Sequence, residues 1–242
     1  MSDDIPSELF DKILCRVPAE SLLRFRSVCK SWSRLIDDPA FIKSHITQQP
    51  SSPNPGHLLI RNQTGGRLFS LPLHSLNFDY GNQTIEATPV KNLILPGVPR
   101  IPTLPVASCN GLILISHYDV NKIWVLWNPL TKECYELPEL DFADLRLIGS
   151  GLGYDSVDDD YKVVRIDEMY LNRKFVYKTL IYSLRNDSWK WIKNCPCDFR
   201  RNSRGVYLND TLYWLSWDFI IALDLSTEVI ASCRCPLYAL DQ

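Results

Sequence analysis

The residues with the plainest chemical potential are two Cys-x-Cys pairs, Cys195-Pro196-Cys197 and Cys233-Arg234-Cys235. Four thiolates can cage Zn²⁺, but structural sites space each pair by about two to four residues. A single intervening residue argues for free cysteines, and no metal is expected. Gly149-Ser150-Gly151-Leu152-Gly153 has the glycine content of a phosphate cradle. It lacks the parallel strand, crossover helix and later acidic residue that such a cradle needs, so it reads as a turn before a strand. Asp158-Asp159-Asp160 lacks the alternating ligand spacing of a calcium loop and reads as an acidic hairpin turn. His45, His57, His74 and His117 are scattered and sit beside no nucleophile. Nothing here calls for a catalytic residue or a cofactor.

What the sequence supplies instead is apolar binding surface. Phe10, Ile13, Leu14 and Val17 recur at i, i+3, i+4 and i+7, and Val28, Trp32, Leu35 and Ile36 at i, i+4, i+7 and i+8. That is helical spacing. Pro6 suits a first turn, Pro18 separates two helices, and Pro39 follows a third, with a fourth expected over Ala40 to Thr47. So short a segment buries little core alone. Yet it carries Leu9, Phe10, Ile13, Leu14, Leu22 and Leu23, a surface that another domain or a partner must cover. Arg24, Arg26, Lys30 and Arg34 form a basic run, offset by Asp3, Asp4, Glu8, Asp37 and Asp38, and read as a solvated or partner-facing surface.

The elements that position this surface follow from the whole chain. Hydrophobic residues make up 45% and charged residues 22%, with 7 Trp, 11 Tyr and a formal net charge of −2. That is the balance of a folded protein, without the basic footprint of a nucleic-acid binder. No stretch approaches the apolar length of a membrane span. The acidic start Met1-Ser2-Asp3-Asp4 is unlike a secretory signal, which places the protein in the cytoplasm and/or nucleus. On that reading the sequons at Asn62, Asn82, Asn186 and Asn209 are turn residues, and the 8 Cys are reduced thiols.

The hydrophobic period changes near residue 50. Residues 48–56 form a Pro/Ser-rich linker between a helical domain at 1–47 and a β domain at 57–242. Strands are expected at His57 to Arg61, Leu112 to Ser116, Ile123 to Trp127, Tyr161 to Ile166, Val176 to Ser183, Val206 to Leu208, Leu212 to Leu215 and Phe219 to Leu225. A degenerate repeat aligns Trp127, Tyr182 and Leu223, each running into a polar turn, at spacings of 55 and 41 residues. A unit of roughly 40–55 residues with about four short strands is the size of a propeller blade. A β-sandwich with ordinary hairpins would use the same strands.

The N-terminal segment resembles the F-box. The pattern is Ile5-Pro6-x-x-Leu9-x-x-x-Ile13-Leu14-x-Arg16-Val17-Pro18-x-x-x-Leu22-x-Arg24-x-Arg26-x-Val28-Cys29-Lys30-x-Trp32, with Ile5 where the family more often has Leu. The β segment resembles the F-box-associated interaction domain of large plant F-box families, which is kelch- or propeller-like. The matching pieces are Ser108 to Leu112, Trp127 to Thr131, Gly151 to Asp155, Asp160 to Val164, Tyr182 to Leu184 with Trp189, and Gly205 to Trp214. Family members commonly extend well beyond Ile221 to Leu225, whereas this sequence stops about 17 residues later. If the family fold is a closed ring, the domain here would be incomplete.

The resemblance implies an α+β multidomain chain: a three- to four-helix F-box, then an all-β, propeller-like domain. It implies a Skp-type adaptor as partner, a cullin scaffold through it, and an unidentified target protein, with no nucleic acid and no membrane. By analogy Ile5, Pro6, Leu9, Ile13, Leu14, Leu22 and Leu23 would pack on the adaptor. Val28 and Trp32 would hold the helices together and contact it too. The expected role is a non-catalytic receptor of a ubiquitin ligase. Two other readings stay open. A shortened chain could bind the adaptor without a target, or bind targets outside a ligase. An enzyme on a propeller scaffold would need a convergent polar cluster.

Overall fold

The computed structural model describes residues 7–48, 56–61, 68–73, 88–89, 103–117, 123–140, 146–192, 199 and 203–234. Two compact units divide the chain, Met1–Leu93 and Ile94–Gln242.

The first unit begins with four helices: α1 (Ser7–Leu14), α2 (Ala19–Phe25), α3 (Lys30–Ile36) and α4 (Pro39–Gln48). Pro18 occupies the N-cap position of α2. Asp38 accepts hydrogen bonds from the backbone N–H groups of Ala40 (2.8 Å) and Phe41 (3.2 Å), capping α4. Pro39 then fills the first helical position, where a missing N–H costs nothing. Residues 49–55 of the expected linker lie outside the described residues. An antiparallel sheet follows, of β1 (His57–Arg61), β2 (Leu68–Pro72) and β3 (Thr88–Pro89). Among the described residues, no helix is long and apolar enough to cross a membrane.

Among the described residues, the second unit contains three sheets in chain order. The first is an antiparallel meander of β4 (Thr103–Cys109), β5 (Leu112–His117), β6 (Trp124–Trp127) and β7 (Cys134–Glu136). The second repeats this plan with β8 (Arg146–Asp155), β9 (Asp160–Leu171), β10 (Lys174–Ser183) and β11 (Ser188–Ile192). β12 (Ser203–Arg204) adds a short parallel edge against β8. The third comprises β13 (Val206–Leu208), β14 (Thr211–Leu215), β15 (Phe219–Asp224) and β16 (Ile230–Arg234).

The sheets stack face on face. Leu114, Trp124 and Leu126 of the first pack against Leu152, Val163 and Tyr182 of the second. On the far side, Val164, Ile166 and Ile181 pack against Leu212, Trp214, Ile221 and Leu223 of the third. A sandwich has two layers, whereas three stacked meanders are successive blades, and the domain is propeller-like.

The aligned residues Trp127, Tyr182 and Leu223 each fall on the third strand of their sheet. In each case the next residue closes the turn with its side chain. Asn128 Oδ1 accepts from the Leu130 N–H (3.0 Å), Ser183 Oγ from the Asn186 N–H (3.1 Å), and Asp224 Oδ1 from the Ser226 N–H (3.0 Å). Four residues after these caps, Lys132, Asp187 and Glu228 all adopt left-handed φ values of 67°, 47° and 58°. The repeat is thus one turn, built three times from different residues.

The structure corrects one reading. Gly149, Gly151 and Gly153 lie inside β8 rather than in a turn before a strand. A Cβ on Gly151 would stand 2.9 Å from Leu212 Cδ1, and one on Gly153 would stand 2.7 Å from the Tyr207 ring. Those glycines let the third sheet approach the second closely. Asp158 and Asp159 lie in the β8–β9 turn, and the buried Asp160 opens β9, where it accepts hydrogen bonds from Ser183 Oγ (2.6 Å) and the Arg185 N–H (2.8 Å).

Candidate protein-binding surfaces

The helical module fills its own core with Leu14, Cys15, Leu22, Ile36 and Phe41. Trp32 packs beside them, with the rings of Phe25 and Phe10 edge-on at 5.5 Å and 6.1 Å. His45 is buried, stacked on Phe41, with Nε2 2.8 Å from the Val17 carbonyl. With that interior complete, other apolar side chains remain outside. Leu9 is 47% exposed, Ile13 54% and Val28 62%. Leu9 and Ile13 are one helical turn apart on α1 and share a face. Covering a side chain of this size is worth about 1.5–3 kcal/mol, so the surface favours a partner.

The residues singled out from sequence therefore separate. Leu9, Ile13 and Val28 are exposed, Leu23 and Trp32 are half-buried, and Leu14 and Leu22 are core at 2% and 4% exposure. Ile5 and Pro6 lie outside the described residues. Val28 does not hold the helices together: it sits in the turn between α2 and α3, with its N–H bonded to the Phe25 carbonyl. Trp32 does that work through its two ring contacts.

The basic run is solvent-facing. Arg24, Arg26, Lys30 and Arg34 are all exposed, and Arg26 holds Asp37 with a hydrogen bond of 3.0 Å and an ion-pair contact of 2.9 Å. An exposed pair of this kind contributes at most about 1 kcal/mol.

Among the described residues of the second unit, apolar exposure clusters in two places. One is the outer face of the third sheet, where Val206, Leu208, Tyr213, Leu215 and Ile220 alternate with core residues. The other is the tip of the β9–β10 hairpin, where Tyr170, Leu171 and Phe175 are 64%, 49% and 51% exposed. Sequence reasoning missed this tip: the strands expected from sequence end at Ile166 and resume at Val176, and Asn172-Arg173 lacks the glycine that marks a two-residue hairpin turn.

The buried polar groups act as fold staples. Lys162 Nζ lies 2.5 Å from Asp155 Oδ2 and 2.7 Å from the Leu225 carbonyl. Arg165 donates to Asp167 at 2.8 Å and stacks 5.7 Å over the ring of Trp124. Among the described residues, no group of three or more His, Cys, Asp or Glu is placed to hold a metal. Cys195, Cys197 and Cys235 lie outside the described residues, and Cys233 is an exposed free thiol.

The F-box domain model matches residues 2–44, and the F-box associated beta propeller domain model matches residues 68–242. F-box protein CPR1 of Arabidopsis thaliana is 30% identical over 263 residues, covering 96% of this chain and 60% of that protein. F-box/kelch-repeat protein At3g23880 of the same plant is 30% identical over 241 residues, covering 93% of this chain and 64% of that one. The chain thus spans 60% and 64% of the lengths of these two curated relatives.

Proposed function

The chain belongs to the F-box proteins that carry an F-box associated beta propeller domain, and from that premise we propose that it is the substrate receptor of a Skp–cullin–F-box ubiquitin ligase. The family is one of non-catalytic ligase subunits. In this role the helical module binds the Skp-type adaptor, which connects it to a cullin scaffold, and the β domain holds a target protein in the cytoplasm or nucleus. Rate enhancement then comes from proximity: target lysines are kept near the charged ubiquitin carrier, and no side chain of this chain performs chemistry.

One observation carries the reading. Leu9, Ile13 and Val28 remain exposed on a module whose core is already closed by Leu14 and Leu22. Such residues contribute little to folding, and their burial is available for a partner. Ile5, Pro6, Leu14, Leu22, Leu23 and Trp32 complete the proposed adaptor-binding set, with Leu14 and Leu22 shaping the helices from within.

The test is co-purification of the full chain with a Skp-type adaptor. The native chain should form a stoichiometric complex, and a Leu9→Glu, Ile13→Glu variant with unchanged melting should lose it. Well-folded native chain that forms no complex would sink the receptor reading.

A further inference from the structure

Among the described residues, the β9–β10 hairpin runs past both strands that flank it. β8 follows β9 only as far as Glu168, opposite Arg146, and β11 follows β10 only from Thr179 to Ser183. Beyond those limits residues 169–171 and 174–176 pair with each other and, among the described residues, with no third strand. Asn172 and Arg173, at φ values of 50° and 64°, close the ribbon in a tight two-residue turn.

A projecting two-stranded ribbon is marginal in water unless its side chains support it. Tyr170 and Phe175 are directly opposed, with ring centroids 5.1 Å apart, and they brace the tip. Both rings nonetheless keep about half or more of their surface in solvent, as does Leu171. Large apolar groups gathered at a projecting tip mark an interaction surface.

Among the described residues, the exposed charges at this tip have one sign. Arg173 and Lys174 are exposed and make no ion pair among the described residues. Lys178, on the same face as Lys174, lies 4.9 Å over the Trp191 ring. The acidic groups on this ribbon are engaged: Asp167 is fully buried against Arg165 at 2.8 Å, and Glu168 faces Arg146 at 3.7 Å. A positive, aromatic tip therefore stands on a chain whose formal net charge is −2.

We propose that the hairpin tip docks an acidic segment of a partner protein, with an apolar residue seated against Tyr170 and Phe175 on one face of the ribbon and carboxylates meeting Arg173 at the turn and Lys174 on the other face. This rests on the receptor reading and names the chemistry of the target it would capture. An acidic peptide fits better than a nucleic acid, because a few cations at one tip make no phosphate-tracking stripe and the net negative chain repels a polyanion.

The test is fluorescence anisotropy of the full chain with a short labelled peptide of alternating Glu and Leu around one Trp. Saturable binding is expected. Arg173→Asp with Lys174→Glu should weaken it about tenfold or more, and added salt should weaken it as well. A Tyr170→Thr, Phe175→Thr variant, checked for unchanged melting, should weaken it at high salt also. Three results would overturn the proposal: no saturable binding to native chain that still captures the adaptor, equal binding of the Lys-for-Glu peptide, or tighter binding of a single-stranded oligonucleotide. Adaptor capture is scored on the same preparations, so its loss alone counts against the receptor reading and not against the hairpin.

Discussion

Lys162 Nζ lies 2.5 Å from Asp155 Oδ2 with side chains only 5% and 0% exposed, and both residues reach across to the third sheet of the unit. Lys162 donates to the Leu225 carbonyl at 2.7 Å, and Asp155 Oδ1 accepts from Ser226 Oγ at 2.9 Å. Removing one partner strands a buried charge. Asp155→Ala should therefore destabilise the chain by about 3–5 kcal/mol, and a paired Asp155→Leu, Lys162→Met variant by less than either single change. Denaturant unfolding of Asp155→Ala, Lys162→Met and the paired variant checks the order.

The same pair sets a pH window. Burial pushes the Asp155 carboxyl up, but hydrogen bonds from Lys162, Ser226 and the N–H groups of Asp158 and Val157 outweigh it and hold the group below its ordinary value. Its contribution is present above about pH 3.9 and is lost as pH falls through the lowered folded value. For Lys162 burial pushes down, while the Asp155 bond and the charges of Asp155, Glu228 and Asp158 outweigh it and raise the group. That contribution is full below about pH 10.4 and is lost as pH rises through the raised folded value. The pair's share of the melting temperature, read as the difference between native chain and the paired variant, should be level between these limits and fall outside both. Lys162→Met should flatten the alkaline fall, and an unchanged alkaline limb in that variant would contradict the assignment.

Gly205 is a packing glycine. A Cβ there would stand 2.8 Å from the Trp214 indole, which is 1% exposed and donates to the Ser150 carbonyl at 3.0 Å. The ring cannot retreat without breaking that bond. Gly205→Ala should cost about 1–3 kcal/mol by overpacking, with a change in Trp fluorescence. Gly111 has open space around it but φ 84°, so Gly111→Ala would act through backbone strain and leave Trp emission unchanged.

The third sheet offers a contrast within one strand. On β14, Leu212 is fully buried against the second sheet, while Leu215 is 49% exposed on the opposite face. Leu212→Ala should cost about 2–5 kcal/mol. Leu215→Ser should stay within about 0.5 kcal/mol and reduce any self-association through that face. Urea midpoints and light scattering separate the two effects.

What was legible in the sequence followed from period and punctuation. β1 and β13 have the bounds expected from sequence, and the aligned turns after Trp127, Tyr182 and Leu223 did mark equivalent strands. β8 was missed because both its faces are covered. Its glycines and small residues follow close sheet packing rather than alternation, and they mimic a loop. β9 was found short, since the exposed tip residues Tyr170 and Leu171 extend it beyond the core. In the helical module the apolar spacing and the prolines supplied the helices but not the exposure. Leu14 and Leu22 carry the same apolar signal as Leu9 and Ile13, and only packing separates them.

That separation gives the sharpest test of the helical module. Leu14 is 2% exposed within the cluster of Cys15, Leu22, Ile36 and Phe41, so Leu14→Ala should open a cavity and cost about 2–5 kcal/mol. Ile13, its neighbour in sequence, is 54% exposed, and Ile13→Ser should leave stability within about 0.5 kcal/mol. Their effects on adaptor affinity should run in the opposite sense. Ile13→Ser removes a contact and should weaken binding about tenfold, the equivalent of about 1.4 kcal/mol. Leu14→Ala, measured well below its lowered melting temperature, should bind within a few fold of native. Calorimetry and adaptor titration on the same two proteins check both halves. Equal losses of affinity would mean that the adaptor reads the shape of the whole module rather than its exposed crest.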